Sequence, residues 1–264
     1  MTEHSAPVAG RRQVWIDEGA ADPPLVLLHG IGSGAPSWAP VLPALAAHRR
    51  VIAWNLPGYG GADCLADPHA GPADHAAALL GFLDHLGIAR CDLLGHSLGG
   101  LLAAHVARHF PRRVHRLVLS SPAGGYRVAP GAELPPALAA RIEDVRDLGP
   151  VGMADKRAAN MVGPGTDPAI LERVRATMAA VDPLGYAAAV WLLAQGDVAG
   201  WAPGITAPTL VMVGTADRVT KPEGVAALAA LVPGATQRQI AGAGHASYAD
   251  HAAEYAAEVN RFLG

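Results

Sequence analysis

The strongest constraint on how this chain folds is a rhythm in its sequence. Short runs closed by glycine or another turn residue recur along it: "PLVLLHG", "RVIAWNLPG", "CDLLGHS", "VHRLVLSSPAG", "PTLVMVGTAD" and "ATQRQIAGAGH". Most are rich in Val, Leu and Ile, the composition of strands covered on both faces. Segments with helical spacing lie between most of them, at Trp38 to Ala47, Ala73 to Leu86, Leu98 to Phe110, Pro222 to Leu231 and Tyr248 to Phe262. Strands that alternate with helix-length segments predict a mostly parallel sheet with helices on both faces, an α/β fold. One earlier run, "RRQVWIDEG", alternates polar and apolar residues and predicts an antiparallel edge strand.

The rhythm fails between Tyr126 and Trp201. Three helical patterns occur there, "PPALAARIEDVRDLG", "DPAILERVRATMAAV" and "DPLGYAAAVWLLAQGD", separated by Pro and Gly clusters and without a convincing strand. A stretch this long outside the rhythm reads as a lid or substrate subdomain. The organisation expected is a core built from residues 1–125 and 202–264, with a helical insertion at 126–201. A chain of 264 residues with 51% hydrophobic content is long enough to bury one sizeable core.

A formal net charge of −3 supplies no basic surface for nucleic acid or an anionic membrane, so neither is expected as a partner. Cys64 and Cys91 have no metal-ligand spacing and read as reduced thiols. The first residues have no apolar run of the signal-peptide type, and no segment reaches the length of about 18 apolar residues that a bilayer requires. A cytoplasmic location is the resulting expectation. Oligomeric state is not legible.

Chemistry concentrates where "DLLGHSLGGLLAAHVARHF" passes from an apolar run into a helical pattern through Gly95-His96-Ser97-Leu98-Gly99. The bland role for Ser97 is a helix N-cap. The sharper role is a nucleophile on a strained turn, where side chains at 95 or 99 would clash across the bend. A serine hydroxyl needs a base to remove its proton and a carboxylate to orient that base. Asp217 follows the run "PTLVMVGTAD", and His245 follows the next, with one helix-length segment between them. Both come after the serine, as the strand-turn-helix nucleophile arrangement requires. Among 12 histidines, His245 alone follows a late strand in a Gly-rich loop.

An acyl-transfer site also needs N–H donors for the oxyanion. Leu98, directly after the nucleophile, is one. The second falls in "LVLLHGIGSG": Ile31 is the choice, with Gly32 the donor if the loop is shifted by one residue. "GIGSG" lacks the lysine of a phosphate-binding loop and the spacing of a dinucleotide fingerprint, so no cofactor or metal is expected.

Through "LLHGIGSG", "NLPGYG", "GHSLGG", "GTADRVT" and "GAGH", spread in order from Leu27 to His245, the chain resembles the α/β-hydrolase superfamily. The resemblance implies the α/β-hydrolase fold with a helical cap inserted after the sixth strand, and a triad of Ser97, Asp217 and His245. The segment from Asp182 to Thr220 is similar to 3-oxoadipate enol-lactonases and related esterases, and to the carbon–carbon hydrolases of aromatic meta-cleavage pathways. Many relatives carry Asp at the position of Asn55 and Ser at that of Ala62, where this chain departs. The expected activity is therefore cofactor-free serine hydrolysis, by water, of a small ester or lactone, hydrophobic or derived from an aromatic compound. Hydrolysis of a vinylogous diketone is an alternative, and a non-catalytic ligand-binding fold is a third. Gly32, Ser33, Trp38, Tyr126, Met161, Tyr186 and Trp191 are candidates for a substrate pocket beneath the cap. Lys156, Arg157, Arg173 and Arg175 read as a solvated face; if one of them turns inward, a carboxylate-bearing substrate becomes attractive.

Overall fold

Each of the six runs forms a strand in a computed structural model that describes residues 1–264. In chain order the strands are β1 (Glu3–Val8), β2 (Arg11–Glu18), β3 (Leu25–Leu28), β4 (Val51–Trp54), β5 (Cys91–His96), β6 (Val114–Ser120), β7 (Thr209–Gly214) and β8 (Thr236–Ile240). They form one sheet in the order β1-β2-β4-β3-β5-β6-β7-β8. Pairing is parallel from β4 to β8 and antiparallel for β1 with β2 and β2 with β4. Every residue of β3, β4, β5 and β7 is buried, which is why these strands read as continuous apolar runs rather than alternating ones.

The sheet edge differs from expectation. β2 is antiparallel, as its pattern predicts, but lies one strand inward. β1 covers it through a two-residue hairpin turn at Ala9-Gly10, both at positive φ. The sequence of β1, "EHSAPV", is mostly exposed and contains a proline, features that edge strands tolerate and that hide them from pattern reading.

The helices are α1 (Leu42–Ala46), α2 (Pro72–His85), α3 (Leu98–His109), α4 (Pro136–Asp147), α5 (Gly149–Arg157), α6 (Pro168–Ala179), α7 (Pro183–Gln195), α8 (Val198–Trp201), α9 (Pro222–Leu231), α10 (Ser247–Asp250) and α11 (Ala252–Leu263). α3 packs on β3, β5 and β6 and touches α2 and α8, while α1 and α11 pack on each other in a separate layer. Between β6 and β7 the chain makes five helices, α4 to α8. Asp167 and Asp182 begin α6 and α7 by accepting backbone N–H groups, each followed by a proline preset for the first turn. α5 was not anticipated, because Gly149 at φ +65° turns the chain between α4 and α5 inside one polar stretch. No single helix is long and apolar enough to cross a membrane.

Strand order places β4 on one side of β3 and β5 on the other, so successive connections leave in opposite directions. In open α/β sheets such a reversal opens a crevice at the carboxyl ends of the strands. The register aligns Leu28 with Gly95, Gly95 with Leu119, and Ser120 with Met212, so the loops after β3, β5, β6 and β7 emerge on one rim.

Candidate active site

The turn after β5 is the most constrained piece of backbone on that rim. Ser97 has φ 53° and ψ −113°, a conformation that non-glycine residues hold only when the surroundings enforce it. The surroundings do so by close approach. A Cβ on Gly95 would lie 2.1 Å from the Gly99 carbonyl oxygen, and one on Gly99 would lie 2.1 Å from that of Leu28. Ser97 stands at the N-cap position of α3, yet its side chain makes no capping bond. Its hydroxyl instead lines a cavity of about 590 Å³, a size suited to a small molecule.

His245 lines the same cavity and is 1% exposed. Its Nδ1–H donates to Asp217 Oδ2 at 2.9 Å, leaving Nε2 free. The Asp217 carboxylate is saturated. Oδ2 also accepts the Thr220 hydroxyl at 2.9 Å, and Oδ1 accepts the backbone N–H groups of Val219 and Thr220 at 2.8 and 2.9 Å. Burial pushes this carboxyl toward the neutral form, but the bond and charge of His245 and the two N–H donors together hold it well below the usual carboxylate range. The pair is thus an imidazole with its tautomer set by an ionised aspartate.

The loop after β3 is held by His29, Tyr59 and Asn55, none of which the sequence marks as a loop anchor. His29 Nδ1–H donates to the Gly30 carbonyl at 2.9 Å, and its Nε2 accepts the Leu56 N–H at 3.0 Å. Burial lowers the pKa of His29 to about 4, in keeping with a neutral ring that both donates and accepts. The Tyr59 hydroxyl donates to the Ile31 carbonyl at 2.7 Å, and Asn55 Oδ1 accepts the Ala35 N–H at 2.8 Å. In a trans peptide the N–H points opposite to the C=O, so anchoring the carbonyls of 30 and 31 also aims the amides of Ile31 and Gly32. Neither of those amides, nor that of Leu98, donates to an acceptor within the protein. Gly30 lies against Ser97, whereas Gly32 faces Met178 on α6.

His96 is wholly buried beside Ser97. Its Nε2–H donates to the His245 carbonyl at 2.9 Å, and its Nδ1 has no partner. Burial first, then the proximity of His245, pushes its pKa down to about 3, so the ring stays neutral.

Of the pocket candidates, Gly32, Ser33, Tyr126, Met161 and Tyr186 line the cavity together with Ile31 and Leu98. Trp38 does not. It is fully buried below the rim, with its ring 4.8 Å from that of Tyr248. Trp191 does not either. It lies five positions after Tyr186 on α7, about 140° around the helix, and its ring rests 4.2 Å from that of His69. The basic residues of the insertion divide. Lys156 pairs with Asp144, and Arg175 pairs with Asp155 and Glu172, both exposed, as a solvated face requires. Arg157 and Arg173, with Arg141 from α4, instead line the cavity. No aspartate or glutamate lines it. Arg157 pairs with Asp144 but keeps a buried Nε without a partner, while Arg141 and Arg173 have no ion pair. Only the helical register could have separated inward from outward arginines.

Comparison with known proteins agrees with the fold. A family model described as alpha/beta hydrolase fold matches residues 23–252. The chain is 33% identical over its whole length to part of polyketide synthase ThaQ from Burkholderia thailandensis, a match covering 13% of that protein. It is 30% identical to a 2-hydroxy-6-oxononadienedioate/2-hydroxy-6-oxononatrienedioate hydrolase from Cupriavidus pinatubonensis, over 94% of this chain and 89% of the relative. Among three strongly matching curated relatives, the aligned stretch covers 13%, 44% and 32% of the relative's own length. The solved enol-lactonase of Burkholderia xenovorans LB400 superimposes with a TM-score of 0.90 at 27% identity, over 98% of this chain and 99% of that one.

Proposed function

Because this chain belongs to the α/β-hydrolase fold family, we propose that it is a serine hydrolase that cleaves a small ester or lactone through an acyl-enzyme. The observation that carries this reading is the buried His245–Asp217 pair, with its free Nε2 in the same cavity as a strained, uncapped Ser97.

In this mechanism Ser97 Oγ attacks the carbonyl carbon while His245 Nε2 takes the hydroxyl proton. Asp217 holds the imidazole tautomer and stabilises the imidazolium. The tetrahedral oxyanion is held by the amides of Leu98, at the positive end of α3, and Ile31. Ile31 is favoured over Gly32 because Gly30 lies against Ser97 while Gly32 faces the insertion. Collapse expels the alkoxide, which takes its proton from His245. For a lactone the freed alcohol stays attached to the acyl group. Water deprotonated by His245 then attacks the acyl-enzyme, releasing the acid and restoring Ser97.

Residues 126–201 serve as the cap that roofs this site. Its Arg141 and Arg173, which form no ion pair, together with Arg157, whose charge is shared with Asp144 outside the cavity lining, favour a substrate with a carboxylate at the end away from the scissile bond. A second reading, hydrolysis of a carbon–carbon bond in a vinylogous diketone, draws support from the same arginines and from the Cupriavidus relative. There His245 would first move a proton on the substrate.

A fluorophosphonate probe tests the common core of both readings. Labelling at Ser97 is expected, together with loss of labelling and of ester turnover in Ser97→Ala. A folded protein that takes no label, or full turnover in the variant, would refute the mechanism. Comparing simple esters and lactones with dienol diketones then separates the two substrate classes.

A further inference from the structure

The loop that carries His245 is held by a different partner at each of three consecutive residues. Gly244 N–H donates to Asp250 Oδ2 at 2.7 Å. The His245 carbonyl accepts His96 Nε2–H at 2.9 Å. Ala246 N–H donates to the Met161 carbonyl at 2.6 Å. Two of these contacts lead to the same place. Asp250 Oδ2 also accepts the N–H of Gly163, at 2.8 Å, so one carboxylate oxygen joins the Met161–Gly163 segment of the insertion to the loop of the base. The other oxygen accepts His251 Nδ1–H at 3.0 Å.

The joint has no slack. A Cβ on Gly163 would lie 2.0 Å from the Gly242 carbonyl oxygen, and one on Gly244 would lie 2.3 Å from the Val162 carbonyl carbon. Backbone meets backbone with nothing between. The Asp250 side chain itself has no exposure to solvent. Burying a carboxylate carries a large desolvation cost unless donors surround it, so a side chain needed only for packing here would be apolar. What the carboxylate does that an apolar group cannot is accept N–H groups from two separate stretches of chain at one atom.

We propose that Asp250 is a positioning residue for His245, seating the base against Ser97 by joining the loop of the base to the Met161–Gly163 segment of the insertion. The proposal rests on the triad reading above. Without this acceptor, two buried N–H groups lose their partner, and of the contacts made at residues 244–246 to the insertion and to His96, those of His245 and Ala246 remain. The base then sits less often in line with Ser97. That loss falls on the chemical step, since Asp250 does not line the cavity.

The test compares Asp250→Ala, Asp250→Asn and Ser97→Ala with the parent protein, using p-nitrophenyl butyrate for turnover and saturating fluorophosphonate to count active sites. In Asp250→Ala, kcat per labelled site is expected to fall at least about 10-fold with KM changed less than about 3-fold, the scale of losing a charge-assisted hydrogen bond. Asp250→Asn is expected to recover most of that loss, because its side-chain oxygen accepts the same two N–H groups. A wild-type kcat per labelled site in Asp250→Ala, with only a lower Tm or fewer labelled sites, would overturn the proposal. So would an asparagine variant no better than alanine. If the alanine variant does not fold, Asp250→Ser supplies the same reading with a shorter acceptor. Turnover that survives in Ser97→Ala would instead remove the triad reading, whatever the Asp250 series shows.

Discussion

The loops on the sheet rim and the helices above them are built in contrasting ways. On the rim, several backbone groups near Ser97 are held by buried side chains: His29, Asn55 and Tyr59 for the loop after β3, and His96 and Asp250 for the His245 loop, while the half-buried Thr220 hydroxyl donates to Asp217. In the insertion, the cavity-facing residues come from amphipathic helices whose ion pairs are mostly exposed, such as those of Arg175 and Lys156. The rim is therefore suited to positioning a reaction and the helices to selecting a substrate. A rigid hydrogen-bonded frame preserves angles, while helix faces exchange side chains at little cost to stability.

The largest expected break in this comparison is Asp217→Asn. The fold persists, but the imidazole loses its ionised partner and adopts the wrong tautomer for part of the time, so kcat falls by roughly 10³ to 10⁴ by analogy with other triads. Steady-state kinetics alongside circular dichroism would check it. A rate near that of the parent would place the acid elsewhere.

Acid stability comes next. His29 and His96 are buried and neutral, with pKa lowered from 6.5 to about 4 and about 3, and His75, on the buried face of α2, is lowered to about 4. A histidine with a lowered folded pKa binds fewer protons folded than unfolded. Its stabilising contribution is present above pH 6.5 and declines as pH falls from there toward pH 4, by up to roughly 3 kcal/mol for each of His29 and His75. The stretch 126–201 contains no histidine, so this loss falls on the sheet core. Thermal melts from pH 7.5 to 4 should show Tm falling mainly below pH 6.5, and His75→Gln should reduce the slope.

A smaller and more selective effect is expected from the insertion. Arg173→Met should raise KM for a carboxylate-bearing ester by about 10-fold and leave a neutral ester within about 2-fold, since it removes a charge that meets substrate away from the reacting bond. Equal effects on both esters would show that the arginine does not contact the carboxylate. The smallest effect is expected at Trp191→Leu, with kcat/KM within about 2-fold, because the ring packs against His69 outside the cavity. A large loss there would bring α7's outer face into the site.

Much of the rim was legible in the sequence because its requirements are local. A strained turn needs glycine at 95 and 99, and the candidate acid and base each follow a strand, so local pattern and chain order brought Ser97, Asp217 and His245 forward as candidates. Trp38 and Trp191 were misplaced because a helix or a short turn shows a residue's type but not its facing, and a 140° rotation separates a pocket wall from a surface contact. The facing of the arginines is open in the sequence for the same reason: Arg157 and Arg175 look alike there, and packing turns one inward and the other out. β1 was missed because an exposed edge strand has no apolar signature.

From the sequence alone came the α/β alternation, the elbow at Ser97 and the order of its partners, since each depends on periodicity or on backbone conformations that only certain residues permit. Only the tertiary structure decided which helix faces look down on Ser97, which side chains anchor the loop after β3, and that Asp250 joins Gly163 to Gly244 across 81 residues of chain. Those contacts lie between segments remote in sequence, and their geometry follows from how whole elements pack rather than from any local preference.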